Sequence, residues 1–271
     1  VLFYRAALDL SPATRTFVAD LITGHRRRIG SRWPALPPGR QALLVLVHLR
    51  CNETFEHLAA AFKVGTATAH RHVTEVIALL TELAPDLREA MRIAQRKAFV
   101  ILDGTLAPID RLSGAGARLY YSGKHRRHGV NIQFLTDPHG RLIWASPMLP
   151  GSTHDLTATH AHDIIDTLTS RAIACYADKA HVGAGSAIGT PYKRRKQRRR
   201  GKRKKLFNRH HARVRALGEQ GAATLKRRRI LRKARCSPTR LTASPKPSTP
   251  CTTRPNEFGN GSLLRKRTLL A

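Results

Sequence analysis

Three acidic residues stand where a carboxylate is costly unless it has a partner. Asp103 follows the apolar run Phe99-Val100-Ile101-Leu102 and precedes Gly104-Thr105. Asp178 closes a second run, Ile173-Ala174-Cys175-Tyr176-Ala177, and Glu219 lies beyond both in a basic, helical stretch. Each apolar run reads as a short buried strand, so each aspartate falls at a strand end, where an unpaired charge is expensive. One such residue alone reads equally well as a turn or cap. The three together read as a metal centre. Asp103, Asp178 and Glu219 can converge on Mg²⁺ or Mn²⁺, two ions in all, because carboxylate oxygens suit a hard cation and paired ions suit phosphodiester chemistry.

The charge balance points to a nucleic acid. The chain of 271 residues carries 49 Lys and Arg against 17 Asp and Glu, a net charge of +32. Such a charge opposes compaction unless a polyanion neutralises it, and the phosphates of DNA or RNA reward many cations. No apolar run is long enough to span a bilayer, so no membrane partner is expected. Cys51, Cys175, Cys236 and Cys251 are scattered and form no C-x-x-C pair, which fits a reducing cytosol with no disulfide frame and no zinc site. Val1-Leu2-Phe3-Tyr4-Arg5 has no signal-peptide pattern.

The elements that must position the acids follow from the order of patterns. Ser11-Pro12 opens a helix with Phe17, Val18, Leu21 and Ile22 on its apolar face. Gln41 to Leu49 is almost continuously apolar and reads as a buried helix, with a strand as the alternative. Thr54 and Thr66 can each cap a helix, and the turn Lys63-Val64-Gly65 joins the two. Leu58, Phe62, Val64, Ala69 and Val73 would pack them together as a helix-turn-helix. The second helix would present Thr68, His70 and Arg71 to a major groove. It runs to about Leu80, Ala84-Pro85 ends it, and a short helix over 85–93 follows.

From Phe99 the texture becomes strand-like. A basic turn holds Lys124, Arg126 and Arg127; Val130 to Leu135 alternates as a strand; Asp137-Pro138-His139-Gly140 is a turn; Leu142 to Ala145 pairs back. Gly151-Ser152-Thr153-His154-Asp155 begins a helix to about Leu168, for which Asp155 is the expected cap, with His154 beside it in a structural or auxiliary role. The histidines 125, 128, 154 and 181 show no metal-ligand spacing. The order strand, strand, strand, helix, strand, helix is that of an RNase H-like core, in which the first and fourth strands are neighbours. The run over 193–205 is nearly all basic and reads as a loop, locally disordered without a partner, that tracks phosphates. The region after Ser244 is rich in Pro, Ser and Gly, without periodicity.

These motifs together resemble the DDE transposases of bacterial insertion sequences, of the insertion-sequence-five type, related to the Harbinger-like endonucleases. The resemblance rests on Phe99–Thr105, Tyr121-Ser122-Gly123-Lys124-His125, Pro150–Asp155, Ala177-Asp178-Lys179 and the spacing Arg215, Glu219, Lys226. It covers about residues 1 to 243. It departs from the family at Ala180-His181, where Gly-Tyr is usual, and at Ala212, where the signature has Tyr. The resemblance implies an α/β chain with three parts: a helical DNA-binding domain over 1–95, an RNase H-like catalytic domain over 96–235, and a disordered or frameshifted tail over 236–271. It implies that Asp103, Asp178 and Glu219 are catalytic, that the N-terminal helices bind transposon-end DNA, and that Arg215 and Lys226 clamp phosphates. The expected activity is metal-dependent cleavage and strand transfer at terminal repeats, on transposon-end and target DNA, by a homodimer. The alternatives are a nuclease of the same fold that does not join, and a remnant that only occupies DNA.

Overall fold

The computed structural model describes residues 10–31, 35–110, 112–114, 116–193, 201–226 and Leu231. The tail over 236–271 and most of the basic run over 193–205 lie outside these residues. The chain divides into two compact units, with the change at Ala84/Pro85.

The first unit is helical. Helix α1 (Pro12–Arg28) starts where Ser11 Oγ accepts from the Thr14 amide at 3.2 Å, with Pro12 in its first turn. Helix α2 (Pro38–Cys51) buries nearly everything from Gln41 to Leu49, which decides the helix-or-strand choice in favour of helix. Helix α3 (Phe55–Phe62) is capped by Thr54. Helix α4 (Thr66–Leu83) begins from Gly65 rather than from Thr66, and no side chain caps it. Lys63 makes the turn between α3 and α4 with φ 57°, a conformation that costs a side-chain-bearing residue energy. Ile22, Leu44, Leu46, Leu49, Leu58 and Phe62 form the centre of this unit. One polar node crosses it: the fully buried Gln41 accepts from Arg26 at 2.6 Å and donates to Glu75 at 2.9 Å.

The second unit opens with α5 (Leu87–Ala94), capped by Asp86. Its Ala90, Met91 and Ala94 pack with Val100 and Leu102 of β1 (Val100–Pro108), so this helix belongs to the sheet's core. Next come α6 (Ala117–Tyr120), β2 (Tyr121–Ser122), β3 (Arg127–Thr136), β4 (Leu142–Ala145) and β5 (Leu149–Pro150). They are followed by α7 (Asp155–Ala161), α8 (Ile164–Ser170), β6 (Cys175–Ala177), β7 (Ile188–Gly189) and α9 (Lys202–Lys226). The sheet order is β2-β3-β1-β6-β7, with β4 and β5 also paired to β3. β1 runs antiparallel to β3 and parallel to β6, so the strands leading to the two aspartates are neighbours.

Two expectations about element ends are corrected. β1 does not stop at Asp103; it continues to Pro108, because its pairing with β3 extends from Ile101↔Thr136 to Pro108↔Gly129. The helix expected from residue 151 to about Leu168 is two helices, broken at His162-Asp163. Asp163 has φ 53°, and the bend lets Ile164, Ile165 and Leu168 reach the core beside Trp144.

Helix α9 lies close against the sheet through two glycines. A Cβ at Gly218 would meet Ile101 Cγ2 at 2.7 Å, and one at Gly221 would meet Thr136 Cγ2 and, at 3.3 Å, Phe134 Cε2. Two mid-helix glycines each cost roughly 1 kcal/mol in propensity, and close approach to β1 and β3 is what they permit. Gly221→Ala is therefore expected to destabilise the chain by about 1–2 kcal/mol in urea unfolding, overpacking outweighing the helix-propensity gain. A variant as stable as the parent would show that α9 does not bear on the sheet there.

Candidate active site

The last parallel pair between β1 and β6 is Leu102↔Ala177. The residue after each is an aspartate, so Asp103 and Asp178 leave adjacent strands side by side. On its other side Asp103 is still paired, opposite Phe134 of β3. That leaves Asp103 within a strand but at the point where the β6 side opens. Both carboxyl groups are mostly covered, with side chains 18% and 21% exposed.

Their environments differ. Asp178 caps the 3₁₀ turn Lys179–His181; its Oδ1 accepts from the Ala180 amide at 2.8 Å and faces His181 Nδ1 at 2.9 Å. Burial raises its pKa, but the hydrogen bonds from His181 and Ala180 outweigh this and bring it down to about 2. For Asp103 burial wins. Its pKa is raised by desolvation, and the neighbouring Asp178 charge adds to this, against Arg215 and the Gly104 amide. Arg215 reaches in from α9, with Nη2 3.8 Å from Asp103 Oδ2, while its buried Nε has no hydrogen-bond partner among the described groups.

Asp155 belongs to this same polar cluster. It does not cap α7; His154 does, its Nδ1 accepting from the Leu156 amide at 3.3 Å. The Asp155 carboxylate turns instead toward the sheet, where it accepts from Asn131 Nδ2 at 2.9 Å, Gln133 Nε2 at 3.1 Å and Lys124 Nζ at 3.1 Å. Burial works against the charged form of Asp155, yet Asn131 and Lys124 hold its pKa below the usual carboxylate value. Lys124 in turn is raised: Asp155, and more weakly Asp178 and Asp103, outweigh the burial that would lower it. Gln133 Nε2 also donates to Asn131 Oδ1 at 2.8 Å, which fixes the amide so that Oε1 faces His181 Nε2 at 3.3 Å. A continuous chain of contacts thus runs Lys124, Asp155, Gln133, His181, Asp178. Gly104 makes room for it, since a Cβ there would stand 2.6 Å from both Asp155 Oδ1 and Gln133 Nε2.

The remaining expected residues are distributed as follows. Glu219 lies one turn after Arg215 on α9 with its side chain exposed. Burial, Arg215 and the Gly104 amide act most on Asp103, and burial, His181 and the Ala180 amide most on Asp178. Among the described residues no three His, Cys, Asp or Glu side chains group closely enough to share a metal ion. Arg215, four residues before Glu219, is an α9 side chain that meets Asp103. Arg126 is exposed in the turn before β3 and Arg127 is exposed as the first residue of β3, its Nε donating to His125 O at 3.4 Å. Burial and Lys124 lower the His125 pKa against Asp155, and Lys226 adds to the lowering, which puts Lys226 near that turn.

In the first unit, Arg71 is exposed, with Nη2 3.3 Å from Thr68 Oγ1. His70 is only half exposed, because its ring packs edge-on to Phe55 at 5.0 Å. Arg71 and Thr74 are exposed on α4, with Thr68 half buried.

Asn131 and Gln133 were not singled out from the sequence, and His181 stood out there only as a departure from the Gly-Tyr of the family. A signal existed: Asn131 and Gln133 alternate within Val130–Leu135, so they place two polar groups on one face of a strand whose other face is core. The donor set fits a divalent cation. Two desolvated carboxylates at the ends of one strand pairing, one raising the other's pKa, match the one or two carboxylates plus phosphate oxygens with which Mg²⁺ is usually held.

The sequence model of the DDE superfamily endonucleases matches residues 102–246, and that of the helix-turn-helix of the same endonucleases matches residues 34–86. The chain belongs to the DDE superfamily endonucleases. It is 22% identical over 232 residues to a protein of Microchaete diplosiphon described as the probable transposase for insertion sequence element IS702, covering 82% of this chain and 83% of that one. No solved structure matches it. No described helix is long and apolar enough to cross a membrane.

His181 sets the acidity of Asp178. In His181→Ala the Asp178 pKa is expected to rise from about 2 toward the ordinary 3.8, read by carboxyl-carbon NMR titration. A depressed carboxylate pKa stabilises the fold above the unfolded value and loses that contribution as pH falls through the folded one. The parent chain should therefore shed stability between roughly pH 4 and pH 2, and the variant less over that range. Unchanged titration of Asp178 in the variant would show that the Ala180 amide alone depresses it.

Proposed function

We propose that this chain is an insertion-sequence transposase that binds terminal repeats through its helix-turn-helix and cuts and joins DNA strands at Asp103 and Asp178. The observation that carries this reading is the Leu102↔Ala177 pairing, which sets two desolvated aspartates side by side in the region matched by the endonuclease family. Asp103 and Asp178 would hold Mg²⁺ or Mn²⁺, two ions in the full site, with Glu219 supplying the third carboxylate from α9. Bound there, the metal supplies activation of the attacking hydroxyl and stabilisation of the departing 3′ oxygen.

The chain's own residues do the rest. His181 and the Ala180 amide keep Asp178 ionised and oriented. Arg215 and Lys124 bring positive charge to the same pocket, where they can neutralise a phosphate. Arg126, Arg127 and Lys226 extend that charge toward flanking DNA. Arg71, Thr68 and His70 belong to the helix that would enter the major groove. Cutting both ends of an element calls for a homodimer, and the DNA substrate calls for a nucleoid-associated cytoplasmic protein.

A second reading is favoured by one observation, the exposed Glu219 outside any three-acid group. In that reading the chain occupies DNA ends without cutting. A duplex carrying the element's terminal repeats, incubated with Mg²⁺ or Mn²⁺, separates the two. Cleavage at the repeat boundary is expected, with Asp103→Asn and Asp178→Asn each reducing it by more than about 100-fold and Glu219→Gln doing the same. Binding without cleavage would overturn the proposed reaction and leave occupancy. Activity that survives Glu219→Gln but not Asp103→Asn would remove Glu219 from the site.

A further inference from the structure

Helix α9 begins on an aromatic surface that the proposed chemistry does not use. Tyr192 and Phe207 are large apolar side chains left 46% and 38% exposed, their rings edge-on with centroids 5.2 Å apart. Tyr192 is held rather than loose. Asn208 grips both of its backbone groups, Oδ1 accepting from the Tyr192 amide at 2.9 Å and Nδ2 donating to its carbonyl at 3.1 Å. Phe207 is backed by His211, 5.9 Å away, which is 3% exposed and anchored through Nε2 to the Gly189 carbonyl at 3.1 Å. Behind His211 stand Tyr176 and then Phe99, at 5.8 Å and 5.3 Å between successive rings. A rigid column of rings therefore ends in two exposed aromatic faces.

The surroundings of those faces are cationic. Lys204 Nζ lies 5.3 Å from the centre of the Tyr192 ring, and Lys202, Arg203, Lys205 and Arg209 are exposed on the same helix. The sequence from Lys202 to Gly218 contains no acidic residue. Phe207, His211 and Arg215 recur every fourth position, so they share one side of α9. At 1.5 Å per residue Phe207 stands roughly 12 Å along the helix from Arg215, the length of three or four stacked nucleotides at about 3.4 Å each. Arg215 itself meets Asp103.

We propose that Tyr192 and Phe207 form a stacking site for an unpaired base of the DNA strand held in the acidic pocket, with Lys204, over the Tyr192 ring, and Arg203, one turn before Phe207, on its phosphates. This rests on the reading of the chain as a DNA-cutting enzyme. A rigid aromatic face beside cations suits a nucleobase, because every base has a π-face and its backbone brings the negative charge. An apolar protein partner would gain nothing from Lys204 and Arg203 beside the rings, and a duplex with all its bases paired offers no free face to stack.

The test uses the full chain in EDTA, so that binding is measured without cutting. Fluorescence anisotropy compares a short oligothymidylate with a strand of the same length in which abasic sites replace the bases. The phosphates are the same in both, and only the bases differ. The parent chain is expected to bind the thymidylate about tenfold more tightly. Phe207→Leu and Tyr192→Leu, which keep apolar bulk, should erase most of that difference while leaving binding to paired duplex unchanged. Phe207→Tyr should retain the difference. Equal binding of the two strands by the parent overturns the proposal even if a leucine variant fails to fold, as does a Phe207→Leu variant that folds and keeps the preference. Base-dependent binding in a chain that never cuts with Mg²⁺ would support the stacking site and count against the reaction alone.

Discussion

Everything in the candidate site depends on where a short parallel pairing stops. β6 gives β1 only three partners, and the pairing ends at Leu102↔Ala177. Up to that point both strands are buried among Ala90, Met91, Val100, Leu135 and Cys175, in surroundings that a charge could not enter cheaply. One residue further the β6 ladder is gone, and two carboxylates meet at its edge. β1 continues on the β3 side, which keeps Asp103 rigid where a residue at a frayed strand end would not be. The site thus combines a fixed backbone with an open flank, which is what two like charges that must both face a substrate require.

The electrostatics of that flank are graded rather than uniform. Asp178 is held ionised by an amide and an imidazole, whereas Asp103 is burdened by burial and by its neighbour's charge. Arg215 stands against Asp103, and Lys124 against a third acid, Asp155. Asp155 works through others: it anchors Asn131, Gln133 and Lys124, and through Gln133 it steadies His181, which orients Asp178. At Ala180-His181 the chain departs from the Gly-Tyr usual in the sequences it resembles, and the imidazole there fills a definite place, hydrogen-bonded at both ring nitrogens and fully buried.

Helix α9 joins this pocket to the basic surface. Gly218 and Gly221 let its backbone approach Ile101 and Thr136 closely, and that approach brings Arg215 to Asp103. The same helix carries the exposed lysines and the aromatic faces at its start. A single helix therefore carries both Arg215 at the acids and the exposed cationic and aromatic side chains at its start.

Much of this was legible in the sequence, where short-range physics governs. The apolar runs before Asp103 and Asp178, the caps at Ser11 and Thr54, the buried Gln41–Leu49 helix and the order of strands and helices all follow from local pattern and turn chemistry. The excess of Lys and Arg was enough to point to a polyanionic partner. What only the tertiary structure decided concerns residues whose role is set by neighbours distant in the chain. Asp155 looked like a helix cap, because a carboxylate at a helix start usually is one; Asn131 and Gln133 on β3 turn it inward instead. His70 is only half exposed because Phe55, fifteen residues earlier, packs against its ring. Glu219 has the right spacing from Arg215, yet spacing fixes only the face of α9 and not how far along β1 that face sits. β1 itself outran its apolar pattern because β3 supplied partners as far as Pro108. Pattern determines which elements form, and the register and approach between them, set by long-range packing, determine which side chains meet.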